Sequence, residues 1–244
     1  PRRFASVAAK ADEALQATYQ QLNAQIRERL VSLAGIQAKA TGATLGQMAD
    51  PIGIDLRSIA IPTRAQLRAI VTTEPVRGAV MWDWWKRQRI QTRNNFQTQL
   101  RLGMSQGETI DELVRRVRGR ALGNGRYDGG VMQVSTRNAQ ALVRTSVTQI
   151  GNRASFETYQ QNDDLTKEYE YVATLDARTT EICANLDGQT FRYDDKTAPR
   201  PPQHFGCRST IVPVIDWKAA GLKPPTTTRQ LYPDWFAEQD AGTQ

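Results

Sequence analysis

Both cysteines and the only histidine of the 244-residue chain lie between Ala173 and Arg208. Cys183 comes first, and His204 and Cys207 follow it with two residues between them. Thiolate and imidazole groups are common zinc ligands in proteins, and a two-residue gap suits a zinc-binding turn. The residue types and their spacing therefore direct attention to metal binding.

The sequence leaves three interpretations of this cluster open. In the first, Cys183, His204 and Cys207 bind a structural zinc ion, with Asp176 or Asp187 as the fourth ligand. In the second, the two cysteines form a disulfide or a close thiol pair. In the third, which the residues favour slightly, both cysteines are small core residues beside a hydrogen-bonded histidine. Because the third interpretation is favoured, we expect no cofactor. A structural zinc ion is the less favoured alternative.

A nucleophilic Cys-His pair is the enzymatic alternative, because a reactive thiolate needs a nearby base. No Asn or Asp is obviously placed to orient His204, and no glycine-rich element that would bind an oxyanion flanks either cysteine. We therefore expect a protein that is not an enzyme. Two cysteines also fall short of a disulfide framework, which favours a reducing compartment.

The rest of the segment predicts a compact structural motif around the cluster. Asp176 suits a turn in which its carboxylate accepts backbone amides beside Arg178. Asp187-Gly188 suits a tight turn into a strand, and the double proline stiffens the approach to the histidine. The predicted motif consists of Asp176, Arg178, Cys183, Asp187, Gly188, Pro201, Pro202, His204, Cys207 and Arg208.

The elements around this motif predict an α+β fold, with a mainly helical first two-thirds and a small mixed domain of short strands. Apolar residues recur at helical spacing in several stretches, and Thr109 with Glu112 forms a capping box. From about residue 168, apolar and polar residues alternate with a period of two, which indicates strands. Helices are expected at 4–40, 64–73, 80–102 and 135–161, and strands at 168–174, 189–193 and 208–214.

These elements divide the chain into four predicted segments. They are an N-terminal helix with a connecting loop (1–62), a helical region with a basic Arg/Trp helix (63–161), a small β-rich Cys/His domain (162–215) and an extended tail (216–244). Glycine and proline concentrate at 41–62, which is expected to be a connection, and five glycines lie at 119–130, which is expected to be a flexible loop.

Positive charge concentrates in the first half of the chain. Residues 1–126 contain 20 Lys and Arg against 10 Asp and Glu, whereas the remainder contains 12 against 15. A basic half of this kind is typical of a chain that binds nucleic acid or an acidic protein surface. It is equally consistent with helix faces that are simply exposed to solvent. The helix at 80–102 interleaves aromatic and basic side chains, and the predicted partner-binding residues are Trp82, Trp84, Trp85, Arg87, Arg89 and Arg93.

The motifs resemble those of the phage Mu F-like head morphogenesis (minor head protein) family. The similarity rests on a strand followed by Thr-x-Asp-x-Arg-Thr at 174–179, then Cys183 and Leu-Asp-Gly at 186–188. The most specific element is Pro-Pro-x-His-x-x-Cys-Arg at 201–208. Upstream, Arg144-Thr145 and the helix start at 107–109 are also similar, so that the resemblance covers about 64–213.

The chain departs from the family pattern at two positions. Ser146 stands where the family usually has Glu after Arg-Thr, and Ser209 stands where it often has a third cysteine in Cys-Arg-Cys. The second departure removes the best fourth soft ligand. It weakens the argument for zinc and leaves the resemblance intact.

The resemblance implies a non-enzymatic minor capsid protein of a tailed phage, incorporated during procapsid assembly and associated with the portal vertex. The expected partners are the portal protein and the major capsid or scaffold proteins, with non-specific contact to packaged DNA. No stretch approaches 18 uninterrupted apolar residues, so no membrane partner is expected. The expected location is the head interior or portal vertex of the virion, and the host cytoplasm during assembly.

Overall fold

A computed structural model of the protein describes residues 2–49, 59–123, 125–215, 217 and 229–241. Within these ranges the helices are α1 (Arg2–Ala49), α2 (Arg64–Thr73), α3 (Met81–Ser105), α4 (Ile110–Arg118), α5 (Gly130–Gln160), α6 (Glu181–Leu186) and α7 (Tyr232–Ala241). The strands are β1 (Arg120–Gly123), β2 (Arg126–Asp128), β3 (Thr166–Val172), β4 (Thr190–Arg192) and β5 (Thr210–Ile215). The predicted α+β fold is confirmed.

The chain folds into two compact units, each built from two separate parts of the sequence. Unit 1 comprises 1–28 and 78–144, and unit 2 comprises 29–77 and 145–244. Both α1 and α5 contribute residues to each unit. The four contiguous segments predicted from the sequence therefore do not coincide with these units. No helix in the described ranges has the length and apolar character needed to cross a bilayer.

In unit 1, one residue of the predicted partner-binding set on the Arg/Trp helix α3, Trp85, is buried against α1. Trp85 is 1% exposed, and its ring lies 6.0 Å from that of Tyr19 on α1. Arg89 donates to the carboxylate of Asp12 at 2.6 Å. Trp85 is therefore a core residue of this chain, because a partner cannot reach a side chain already covered by α1.

The other members of the predicted partner-binding set differ in their exposure. Trp82 is 47% exposed and Trp84 is half-buried. The guanidinium of Arg87 lies over the Trp84 ring, 5.0 Å from its centroid. Arg93 lies 3.8 Å from Asp12. Trp82 is thus the tryptophan of this helix that presents the most surface to solvent.

The capping box at the start of α4 is confirmed. The Thr109 hydroxyl accepts from the Glu112 amide at 3.4 Å, and the Glu112 carboxylate accepts from the Thr109 amide at 2.7 Å. The hydrogen bond from the Thr109 backbone lowers the pKa of Glu112. These bonds satisfy donors that the helix itself leaves free.

The predicted flexible loop at 119–130 is wrong, because β1 and β2 form an antiparallel hairpin there. Gly119 and Gly130 have φ values of 91° and 78°. A Cβ on Gly130 would lie 2.8 Å from the carbonyl carbon of Arg118, so the backbones meet more closely than a side chain allows. The glycines here provide unusual backbone angles and close approach.

In unit 2, the central strand β3 pairs with β4 on one side and β5 on the other, both antiparallel. Tyr169 and Tyr171 are 0% exposed and project from the same face of β3, as the alternating pattern predicted. Tyr169 joins an aromatic cluster with Phe156 and Tyr159 of α5 and with Tyr193. Tyr171 instead packs against the two cysteines. One strand thereby supports both the core of unit 2 and the Cys-His cluster.

Two further predictions of irregular structure are wrong. Helix α1 continues through 41–49, where a connection was expected, and Gly42 allows Ile61 to approach it, since a Cβ there would lie 3.1 Å from the Ile61 side chain. The tail contains α7, where Tyr232 packs against Trp235 and Phe236. The described residues do not include 50–58 of the predicted connection. They also do not include 216 and 218–228 of the predicted tail.

Substitution of Trp85 tests its assignment to the core of unit 1. We expect Trp85→Ala to lower the free energy of unfolding by about 3–5 kcal/mol, because it leaves a large cavity beside Tyr19. The matched control Trp82→Ala should lower it by clearly less, because 47% of that side chain's surface is already exposed. Urea unfolding followed by circular dichroism measures both, and equal effects would contradict the assignment.

Candidate metal centre

Three parts of unit 2 bring the Cys-His cluster together. Cys183 lies in α6, with Thr180 as the N-cap residue of that helix. His204 and Cys207 lie in the loop that leads into β5. Both cysteines are 2% exposed and His204 is half-buried. The cluster is thus formed where a short helix meets a loop beneath the sheet.

The ligand atoms of the three side chains lie close together. The Cys183 and Cys207 sulfurs are 3.7 Å apart, and the Cys183 sulfur is 3.5 Å from His204 Nε2. All three ligand atoms lie within 4.8 Å of one another. Both cysteines are free thiols. Of the chemistries that the sequence left open, this arrangement fits a thiol pair or a metal site.

The orientation of the imidazole is fixed by the backbone. His204 Nδ1 lies 2.9 Å from the carbonyl oxygen of Phe205. A carbonyl only accepts hydrogen bonds, so Nδ1 carries the proton and the lone pair of Nε2 faces Cys183. A histidine that binds a metal through one nitrogen normally makes this kind of bond with the other.

The two thiols perturb each other. The hydrogen bond with Cys183 lowers the pKa of Cys207, and backbone hydrogen bonds at Gln203 and Ser209 act in the same direction. The hydrogen bond with Cys207 and then burial raise the pKa of Cys183. Tyr171, whose hydroxyl lies 3.3 Å from the Cys183 sulfur, has its pKa raised by burial. One sulfur of the pair therefore gives up its proton more readily than the other.

Polar residues on α5 hold the loop that carries the cluster. The Gly206 amide donates to the Thr145 hydroxyl at 2.9 Å, and the Thr148 hydroxyl donates to the Cys207 carbonyl at 3.0 Å. The Asn152 side chain donates to the Ser209 carbonyl at 3.2 Å and accepts from the Ile211 amide at 3.1 Å. The position of Cys207 is thus set by a helix some sixty residues earlier in the chain.

The predicted turn at Asp176 is confirmed, and it also closes the motif. Its carboxylate accepts from the Arg178 amide at 2.9 Å and from Arg208 Nη2 at 2.7 Å, and Arg208 Nη1 bonds the other oxygen. The hydrogen bond with Arg208 is the main cause that lowers the pKa of Asp176. We call these bonds between Asp176 and Arg208 the Asp176–Arg208 clasp. It joins the loop after β3 to the residue that follows Cys207.

Asp187 anchors the C-terminal helix to the sheet. Its fully buried carboxylate accepts from the Ala173 amide at 2.6 Å, the Tyr232 amide at 2.7 Å and Arg229 Nη2 at 2.9 Å. The next residue, Gly188, has φ of 79°, as the predicted tight turn requires. Neither Asp187 nor Asp176 lies in the metal-ligating cluster of the described residues, although each was considered as a fourth ligand.

The double proline is part of the buried structure of unit 2. Pro201 and Pro202 are both buried, and the bond between them is cis. Arg200, the residue before them, stacks on the Phe156 ring at 4.3 Å from its centroid. The ten residues of the predicted motif are thus spread over the end of β3, α6 and the loop before β5.

Sequence reasoning missed the residues that support the cluster. Ser209 was noted only as a missing cysteine, yet its buried side chain lies beside both thiols and Tyr171. Thr145 was noted only for the family resemblance, and Thr148 and Asn152 were not singled out. Their spacing of three and four places them on one face of α5, which was the available signal.

Comparison with protein families identifies a match over residues 94–212 with the family described as Phage Mu protein F like protein. The match confirms the resemblance inferred from the motifs, and it contains α4, α5 and the whole Cys-His cluster. Neither the curated proteins nor the solved structures yield a match.

Acid titration tests the Asp176–Arg208 clasp. Because the folded pKa of Asp176 lies below its ordinary value of 3.8, the clasp stabilises the fold above that pH and is lost as the pH falls further. We expect the melting temperature of Asp176→Asn to fall less steeply with acid below about pH 4 than that of the wild type. The exposed Asp163→Asn serves as the control, and identical acid profiles for all three proteins would contradict the role of the clasp.

Proposed function

From the match of residues 94–212 with the Phage Mu protein F like family, we propose that this protein is a minor head protein of a tailed bacteriophage. It is incorporated during procapsid assembly and lies at or near the portal. The family match is the observation that carries the proposal. The Pro-Pro-x-His-x-x-Cys-Arg element within the matched region supports it, because its Arg208 bonds to Asp176 of the Thr-x-Asp-x-Arg-Thr motif.

We propose that unit 1 provides the docking surface for the portal or capsid partner. Ile110 and Val114, one turn apart on α4, are 78% and 48% exposed, and Met104 at the end of α3 is 55% exposed. Arg115 and Arg118 of α4 are exposed as well. Apolar side chains grouped in this way and flanked by arginine are typical of surfaces that bind another protein.

Contact with packaged DNA is the second candidate function, and the charge of unit 1 favours it. Unit 1 contains 16 Lys and Arg against 8 Asp and Glu, whereas unit 2 contains 16 against 17. Arg118, Arg126 and Arg137 line a cleft of about 670 Å³, in which Arg118 stacks on Tyr127 at 4.2 Å from the ring centroid. A cleft lined by arginine suits phosphate groups without selecting a base sequence.

An enzymatic role has less support. A Cys-His nucleophile requires a base that a third group orients, usually a carboxylate or an amide. His204 Nδ1 faces the carbonyl of its neighbour Phe205 at 2.9 Å. We therefore propose a binding role without catalysis.

Incorporation into heads tests the minor head protein proposal. We expect the wild-type protein in purified procapsids, detected by mass spectrometry, and we expect Ile110→Asp/Val114→Asp to be incorporated less because charge disrupts the apolar contact. The matched control is Ile36→Asp, which changes an isoleucine on α1 that is 67% exposed. Absence of the wild type from procapsids and virions would overturn the proposal. Normal incorporation of the double variant would overturn the assignment of the surface.

Salt titration tests contact with DNA. We expect the full chain to bind duplex DNA of arbitrary sequence with an affinity that falls steeply with salt. Arg126→Gln/Arg137→Gln should reduce the slope of log K against log salt by about two, at about 0.9 for each lost phosphate contact. Fluorescence anisotropy measures the slope, with Arg178→Gln of unit 2 as the control. An unchanged slope would exclude this cleft as the binding site.

A further inference from the structure

We propose that Cys183, His204 and Cys207 bind one zinc ion, and that Ser209 holds a water molecule as the fourth ligand. The proposal rests on the geometry of these side chains and is independent of the role of the protein in the phage head. It selects one of the three interpretations that the sequence left open.

Two of the three distances between the ligand atoms match those of a tetrahedral zinc site. Zinc lies about 2.3 Å from a thiolate sulfur and about 2.0–2.1 Å from an imidazole nitrogen. At tetrahedral angles these bond lengths place two sulfurs about 3.8 Å apart and a sulfur about 3.6 Å from the nitrogen. The corresponding distances here are 3.7 Å and 3.5 Å. The third pair, the Cys207 sulfur and His204 Nε2, lies within 4.8 Å. That pair must close by no more than about 1.2 Å for all three groups to share one ion.

The histidine favours a metal over a simple thiol pair. Two buried cysteines can pack in a core without any imidazole, yet here the Nε2 lone pair faces the Cys183 sulfur. The Phe205 carbonyl fixes that orientation from the far side of the ring, as in metal sites. A disulfide would require the sulfurs to move to about 2.05 Å, which is far from the observed separation.

Two hydroxyl groups lie beside the thiols and can hold the fourth ligand. Ser209 is 3% exposed and lies beside both thiols. Thr180 lies beside Cys183. Among the described residues, no group lies at the distance and angle needed for a hydrogen bond to its buried Oγ1. The oxygens of Asp176 and Asp187 are engaged by arginine and by backbone amides. A water molecule that bonds to the two hydroxyls completes four-coordination without any rearrangement of these carboxylates.

The ion would join α6 to the loop that enters β5. The Asp176–Arg208 clasp and the bonds from α5 hold this loop, but they join it to the loop after β3 and to α5. Zinc binds to the folded cluster and not to the separated ligands of the unfolded chain, so it stabilises the fold. At zinc concentrations about 100-fold above Kd, the melting temperature should rise by about 5 °C or more.

Metal analysis of the full chain, purified without chelator, tests the proposal. We expect about one zinc ion per chain, and a cobalt-substituted protein with the absorption of tetrahedral cobalt and of thiolate ligation. Cys183→Ser, Cys207→Ser and His204→Asn should each lose the metal. Thr148→Val, which removes a hydrogen bond to Cys207 but no ligand, should retain it. Circular dichroism identifies variants that fail to fold.

Ser209→Cys tests the fourth position by a gain of affinity. A third thiolate replaces the water, so we expect zinc to resist a competing chelator at least about tenfold better and the cobalt–thiolate absorption to increase. Unchanged affinity and an unchanged cobalt spectrum would overturn the assignment of Ser209. Folded wild-type protein that contains no zinc and does not bind cobalt would overturn the site itself. A mass two hydrogens lower, unaffected by zinc, would identify a disulfide instead.

Discussion

The hydrogen bonds from α5 to the loop before β5 determine where the rest of unit 2 can lie. Thr145, Thr148 and Asn152 bond to backbone atoms of Gly206, Cys207 and Ser209, and Asn152 also accepts from Ile211. These backbone groups are buried or partly buried, and without partners each would carry a desolvation cost of about 1–3 kcal/mol. Satisfying them from a helix fixes the loop in one register. Cys207 is then held against Cys183, and β5 enters the sheet beside β3.

Charge has different functions in the two units. In unit 2, Asp176 and Asp187 are each bound by an arginine and by backbone amides, so their carboxylates join distant parts of the chain. A buried carboxylate is tolerated only when it is paired and hydrogen-bonded in this way. In unit 1, positive charge is in excess, and exposed arginines accompany the exposed apolar side chains of α4. The proposed division of function follows this contrast: unit 1 contacts partners, and unit 2 maintains a closed motif.

Local sequence was sufficient where neighbouring residues decide the structure. The helix at 64–73 and the capping box of Thr109 and Glu112 were predicted because propensity and capping act within a few residues. The strand with Tyr169 and Tyr171 was predicted because alternation indicates one buried face. The tight turn at Gly188 and the family resemblance likewise followed from short motifs. The glycine-rich segments were misinterpreted. A glycine is equally consistent with a flexible loop, the end of a hairpin or a site of close packing in a helix. The residues packed around it decide which of these forms.

By itself, the sequence determined the fold class, most of the elements and the family to which its central motifs are similar. Only the tertiary structure decided that Trp85 is covered by α1, that Asp187 anchors α7 and that Ser209 lies against both thiols. It also decided that Cys183, His204 and Cys207 meet, with their ligand atoms within 4.8 Å of one another. The physical reason is that these facts depend on contacts between residues far apart in the chain. Such contacts are fixed by the packing of α5 and the sheet, and residue types and local spacing do not encode them separately.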